Sequence, residues 1–152
     1  MSRIAGSLEL EAMLEAATSA TLETMCFFRV MGPLAEMPAR EERISARLSF
    51  QGDANGVFHC MLDLPTAKAI AANFLGEEAE DVSRARMESV VCELANMICG
   101  SVLSNHKKDG HFELSSPEIT GSEDEQPDEV VRRVFELESG SIALAMDFRP
   151  KP

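Results

Sequence analysis

The sequence predicts an α+β domain in which helices pack on a largely antiparallel sheet. Three observations carry this. Two stretches alternate with period two and fold back through glycine-containing turns, three others have the apolar spacing of helices, and the pieces run helix, hairpin, two helices, extended piece, hairpin. The 152 residues show no close internal repeat and suit one core, so residues 1–152 are read as a single domain.

Each element has its own reason. Ser7 can cap a helix in which Leu8, Met13, Leu14, Ala17, Thr21, Leu22 and Met25 recur at helical spacing, so the first helix is expected from about residue 8 to 25. "FFRVMGPLAEMP" holds a Gly and two Pro and predicts a short strand or a loop. Ile44, Ala46, Leu48 and Phe50 then alternate with polar residues, "DANG" turns, and Val57 to Leu64 returns. Pro65 and Thr66 open a second helix that Gly76 closes. "EEAEDVS" is an acidic connector, and a third helix spans about Ser83 to Asn105. A short extended piece surrounds Pro117, "GSEDEQPDE" is a polar loop with the composition of a mobile segment, and a final hairpin turns at "SGS".

Composition narrows the function classes. The hydrophobic fraction is 45%, with neither Trp nor Tyr, so aliphatics and nine Met fill the core, some Met serving partly as a dimer surface. A net charge of −12 and a pI near 4.6 repel nucleic acid and anionic lipid and favour a protein partner. No apolar run approaches the length of a membrane span, and the N-terminus is too acidic for a secretory signal, so cytoplasm is expected. Cys26, Cys60, Cys92 and Cys99 form no Cys-x-x-Cys pair and are read as small, reduced hydrophobes.

The third helix has two unlike faces. Val90, Val91, Leu94, Ala95, Met97, Ile98 and Val102 fall within an arc of roughly 160° centred near Met87, the expected buried face. Opposite, Arg86, Ser89, Glu93, Asn96 and Gly100 lie within roughly 80° of one another. Periodicity alone also fits a plain solvated face. Yet such a face favours strong helix formers, and this one carries Ser, Asn and Gly. Gly100 removes a side chain one turn beyond Asn96, which lets another surface approach closely.

"ELANMICGSVLS", from Glu93 to Ser104, resembles the signature helix of the CheC–CheX–FliY family of chemotaxis phosphatases. That signature places a Ser or Asp four residues before a Glu, an Asn three after it, and a Pro some twenty-odd residues on; here these are Ser89, Glu93, Asn96 and Pro117. The 21 residues from Asn96 to Pro117 are one or two short of the pattern. "LEAATSATLETMCF" and "LPTAKAIAANFLGEE" resemble the family's first helix and the segment after its hairpin. Glu23 has no Asn three residues later, so the resemblance is to the single-motif, CheX-like type.

The resemblance implies a CheC/CheX-like fold and a phosphatase acting on the phospho-aspartate of a CheY-like receiver domain, in chemotaxis or another two-component system. The catalytic residues would be Glu93 and Asn96, with Asn96 orienting the attacking water and Glu93 pairing with the receiver's Lys. No cofactor would belong to this chain, because the receiver brings its own Mg2+. Ser89 either assists docking or is simply small at the contact. Gly100 and Ala95 would clear space, and Pro117 would shape a loop beside the helix. The same resemblance implies a homodimer joined through sheet edges, for which the final hairpin, Ile142 to Phe148, supplies an edge. The alternatives are a non-catalytic module that docks a receiver or other signalling protein, and a purely structural homodimer.

Other chemistry is poorly supported. Cys92, Cys99 and His106 recur every seven residues and share a helix side. Seven residues rise about 10 Å, whereas ligands of one zinc sit about 2.0–2.3 Å from it, so one ion cannot bridge them. His106 and His111, flanking Lys107 and Lys108, are read as surface residues beyond the helix, and His59 as structural. No nucleophile triad or glycine-rich phosphate loop stands out.

Overall fold

A computed structural model describes residues 2–38, 42–107, 109–120 and 130–150. The order is α1 (Ser2–Met25), β1 (Val30–Leu34), β2 (Arg43–Gly52), β3 (Ala54–Asp63), α2 (Leu64–Leu75), a 3-10 turn (Ala79–Asp81), α3 (Arg84–His106), β4 (Phe112–Leu114), β5 (Glu118–Thr120), β6 (Val131–Leu137) and β7 (Ser141–Pro150). The fold is α+β, and all the strand pairings are antiparallel. The polar loop expected at residues 121–129, and Lys108, lie outside the described residues.

The sheet runs β1-β6-β7-β3-β2, with β4 and β5 both pairing the outer edge of β2. This corrects one expectation. The final hairpin is not an edge: β7 lies between β6 and β3, and β6 is covered by β1. Its six consecutive buried residues, 141 to 146, are what a central strand requires. Among the described residues the edges are β1 and the β4/β5 pair, and Pro33, which cannot donate to a ladder, sits on edge strand β1.

The helices cover one sheet face. Ile44, Leu48 and Phe50 of β2, Phe58 and Leu62 of β3, and Ile142 and Leu144 of β7 join Leu14, Leu22, Ile70, Leu94 and Ile98 in one core cluster. The opposite face is partly covered by Met37, packed with Val134 and Ala143. His59 is buried there, in register with Arg47 and Ala145, as its structural reading expects. Cys26, Cys60 and Cys99 are buried free thiols, and Cys92 is half-buried.

Local chemistry sets the helix ends. Helix α1 begins at Ser2, so Ser7 is inside it and is not its cap. Gly6 lowers helix propensity by about 1 kcal/mol without ending the helix. Helix α2 starts as expected, with Pro65 in its first turn, and ends at Gly76 in the left-handed region (φ 69°). Its cap is Asp63, whose carboxylate accepts from Thr66 N–H, from Thr66 Oγ1 at 2.6 Å and from Ser141 N–H at 3.1 Å. One buried side chain thus ties β3, α2 and β7 together. Gly140 (φ 83°) must stay small, because a Cβ there would meet Thr66 Oγ1 at 1.6 Å.

Helix α3 starts at Ser83, whose Oγ accepts from Arg86 N–H. It packs against α1, α2 and the sheet. By length and composition it is also long and apolar enough to cross a membrane, contrary to the sequence expectation, but half of that stretch is buried inside the fold. Its apolarity is that of a helix at the centre of a core.

Candidate functional site

Helix α3 presents the two faces that its sequence predicts. Met87, Val90, Val91, Leu94, Ala95, Ile98 and Val102 are buried, joined by Cys99 and Leu103. Met97 is only half-buried, at the boundary between the faces. Ala95 is fully buried, so it packs in the core and does not clear space at a contact. On the outer face Ser89 and Glu93 are exposed, and Asn96 and Gly100 are half-exposed. A Cβ added to Gly100 would meet nothing within 4 Å among the described residues, so no packing among them requires glycine there.

The charged residues of this helix divide into two kinds. Arg84 Nε donates to Glu88 at 2.9 Å, one turn along. Arg86 grips Glu77, just past α2, with both terminal nitrogens. This pairing holds the Glu77 carboxyl below its ordinary value and the Arg86 guanidinium above its own. Glu93 and Asn96 have no such engagement: neither side chain makes a hydrogen bond or ion pair among the described residues.

Two grooves flank this face. One, of about 430 Å³, lies between α3 and the start of β5, lined by Glu88, Ser89, Cys92, Glu93, Asn96 and Pro117, with Ala85, Glu118 and Ile119. The other, of about 450 Å³, lies toward α2 and is lined by Phe74, Leu75, Arg86 and Val90, sharing Ala85, Ser89 and Glu93 with the first. Ser89 and Glu93 therefore sit on a ridge, and Asn96 faces the β5 side.

The wall opposite Asn96 follows from Pro117. The expected extended piece is two short strands, β4 pairing β2 at Phe50 and β5 pairing it at Arg47. Between them Ser115 bonds the Ser49 backbone through both its N–H and its Oγ, and Pro117, lacking an N–H, follows where the ladder is interrupted. The loop shaped beside the helix is therefore present. Sequence reading missed Glu118 and Ile119 as its lining, and only a β2–β5 pairing, unpredictable from so short a strand, could have placed them.

Cys92 lies beside Glu93 in this groove. Its thiol is pushed up, first by burial and then by the Glu88 and Glu118 carboxylates, so it stays protonated at neutral pH and is a poor nucleophile. It is not near His106 in any metal-binding sense, since His106 stacks edge-on against Phe148 with ring centres 4.7 Å apart. His106 is exposed but belongs to the last turn of α3, not to the segment after it. Among the described residues no three His, Cys, Asp or Glu side chains converge as ligands for a metal.

A sequence profile described as Chemotaxis phosphatase CheX matches residues 44–135, more than half of the chain. The chain belongs to the CheX family. The match spans the whole outer face of α3 together with Pro117. Solved structures agree on the fold. Chemotaxis protein CheX from Vibrio vulnificus is 19% identical with a TM-score of 0.74, covering 93% of this chain and 97% of that one. The CheX–CheY–BeF3–Mg2+ complex from Borrelia burgdorferi gives 19% identity and a TM-score of 0.73, over 91% of this chain and 96% of that one. FliY from Thermotoga maritima gives 16% and 0.62, over 90% and 85%. No curated protein matches the chain significantly. The CheX, CheC-like and FliY structures share the arrangement of helices on a sheet described above.

Proposed function

We propose that this chain removes the phosphoryl group from the phospho-aspartate of a CheY-like receiver domain. The observation that carries the reading is the unengaged Glu93 and Asn96 on the outer face of a helix whose other face is locked in the core, in a member of a chemotaxis phosphatase family. Support for the partner comes from the Borrelia burgdorferi relative, whose structure is a complex with CheY, BeF3 and Mg2+.

Phosphoryl transfer needs positioning and charge stabilisation more than new covalent chemistry. Asn96 holds a water through its side-chain oxygen and donates from its amide nitrogen toward the phosphoryl group. The water oxygen bonds to phosphorus as the acyl-phosphate P–O bond breaks. Phosphate leaves as dihydrogen phosphate, carrying both of the water's protons, and the receiver's carboxylate is freed. A neutral amide suits the place, because a carboxylate would repel the anion. Glu93, a few ångströms away, pairs with the receiver's Lys and fixes its orientation. The receiver supplies the Mg2+, and no nucleophile from this chain is needed. Ser89 and Gly100 belong to the docking surface. The setting is the cytoplasm, and the homodimer joins through β1 or the β4/β5 edge.

Phosphate release from a panel of phosphorylated receivers of the same genome tests this. Acceleration on at least one receiver supports the phosphatase. Binding without acceleration supports a docking module, and neither result leaves only a structural role.

A further inference from the structure

The groove between α2 and α3 has no task in orienting water. We propose that it is a second docking contact for the same receiver, seating an apolar side chain from the surface beside the receiver's phosphorylation site, with Phe74 and Leu75 setting affinity and orientation. This rests on the function proposed above.

Continuity with the ridge is the first argument. Ala85, Ser89 and Glu93 line both grooves, so a body that covers Glu93 also covers the entrance to this one. Area is the second. A specific protein contact buries about 800 Å² on each partner, while Glu93 and Asn96 are separated by a rise of only about 4.5 Å. The contact must therefore extend over the flanks. On the β5 flank two engaged carboxylates, Glu88 and Glu118, stand beside Pro117 and Ile119, whereas the α2 flank carries one engaged pair, Arg86 with Glu77, at its rim, and charged residues are depleted at the centre of interfaces. The α2 flank offers an aromatic and an aliphatic side chain, the types that anchor contacts.

The groove is also built to hold its shape. Phe74 and Leu75 are half-buried, with their inner sides packed on the core. Gly76 ends the helix directly after them in the left-handed region, and Glu77 then turns to grip Arg86 on α3. That grip links the two walls and neutralises the cation at the rim. A rigid apolar recess loses little freedom when it is filled.

The test uses a receiver that the wild-type chain dephosphorylates, with kcat and KM measured for Leu75→Lys, Leu75→Met and Leu75→Ala, and affinity measured for the receiver saturated with beryllofluoride and Mg2+. Lysine and alanine are both tolerated in the last turn of a helix, where Leu75 stands. Leu75→Lys is expected to raise KM and weaken binding about tenfold with kcat within about twofold, and Leu75→Met to behave as wild type. If Leu75→Lys melts below the assay temperature, Leu75→Ala, which truncates a side chain that lines only this groove, carries the test with the same expectation. Folded variants with wild-type KM and affinity overturn the proposal while leaving the phosphatase intact, provided Asn96→Ala is inactive. A change in self-association by light scattering with KM unchanged also overturns it, assigning the groove to a second copy. A wild-type chain that acts on no receiver removes the proposed function, and this contact with it.

Discussion

Asn96 stands three residues beyond Glu93 on the outer face of α3, and neither side chain has a partner among the described residues, while Arg84, Glu88 and Arg86 nearby are all engaged. Their unengaged ends cost the fold little, because Leu94, Ala95 and Ile98, interleaved with them, are fully buried. The inner face of the helix supplies rigidity and the outer face supplies reach.

Glu93→Ala is expected to lower kcat/KM on a cognate receiver about 10- to 100-fold, since it leaves the receiver's lysine unpaired in the contact. Glu93 makes no hydrogen bond or ion pair among the described residues, so thermal stability should stay near wild type. Steady-state kinetics beside a thermal melt check both parts. Unchanged binding and turnover remove Glu93 from the site.

Gly100 separates stability from docking. Gly100→Ala is expected to stabilise the chain by about 0.5–1 kcal/mol, because the added methyl meets nothing and the helix gains propensity. Gly100→Leu should fold equally well yet raise KM, since it stands where a partner approaches. Urea titration and receiver kinetics on the two variants read these effects. A Leu variant with wild-type KM shows that close approach is not the reason for the glycine.

Buried thiols predict a fall in stability at alkaline pH. Burial pushes Cys60 and Cys99 up to about 12 and Cys26 up to about 11. In the unfolded chain a thiol ionises near about 8.5. Below that pH both states keep the proton and the full stability is present. Above it the unfolded chain releases protons that the folded chain retains, so stability declines until the folded values are reached. The slope is about 1.4 kcal/mol per pH unit for each thiol. The chain has no tyrosine to obscure this range. Urea midpoints at pH 7, 8.5 and 10 should drop above pH 8.5, and replacing Cys60 and Cys99 by Ala should flatten the drop. A midpoint independent of pH contradicts the burial of these thiols.

Much of the fold was legible because its signals are local. The alternation of Ile44 to Phe50, and Pro65 and Gly76 at the ends of α2, each depend on neighbours within a few residues, whereas the turn expected at residues 53–56 falls earlier, because Ala54, Asn55 and Gly56 already belong to β3 and pair with β7. Strand order is not local. That Ile142 pairs Leu62, making β7 central and not an edge, is fixed by contacts eighty residues apart. The site divides the same way. Ser89, Glu93, Asn96 and Gly100 share one helix face and could be read from periodicity. Glu118, Ile119, Phe74 and Leu75 reach the site only through tertiary packing. Ala95 was assigned twice by the sequence, to the core and to the contact, and burial decides for the core.

The most direct measurement is phosphate release from a cognate phosphorylated receiver by wild type and by Asn96→Ala at equal, verified folding. Loss of the group that orients the water predicts a fall of about 10²- to 10³-fold in the stimulated rate, with binding to the beryllofluoride-activated receiver largely retained. An Asn96→Ala chain that dephosphorylates the receiver as fast as wild type would contradict the central claim.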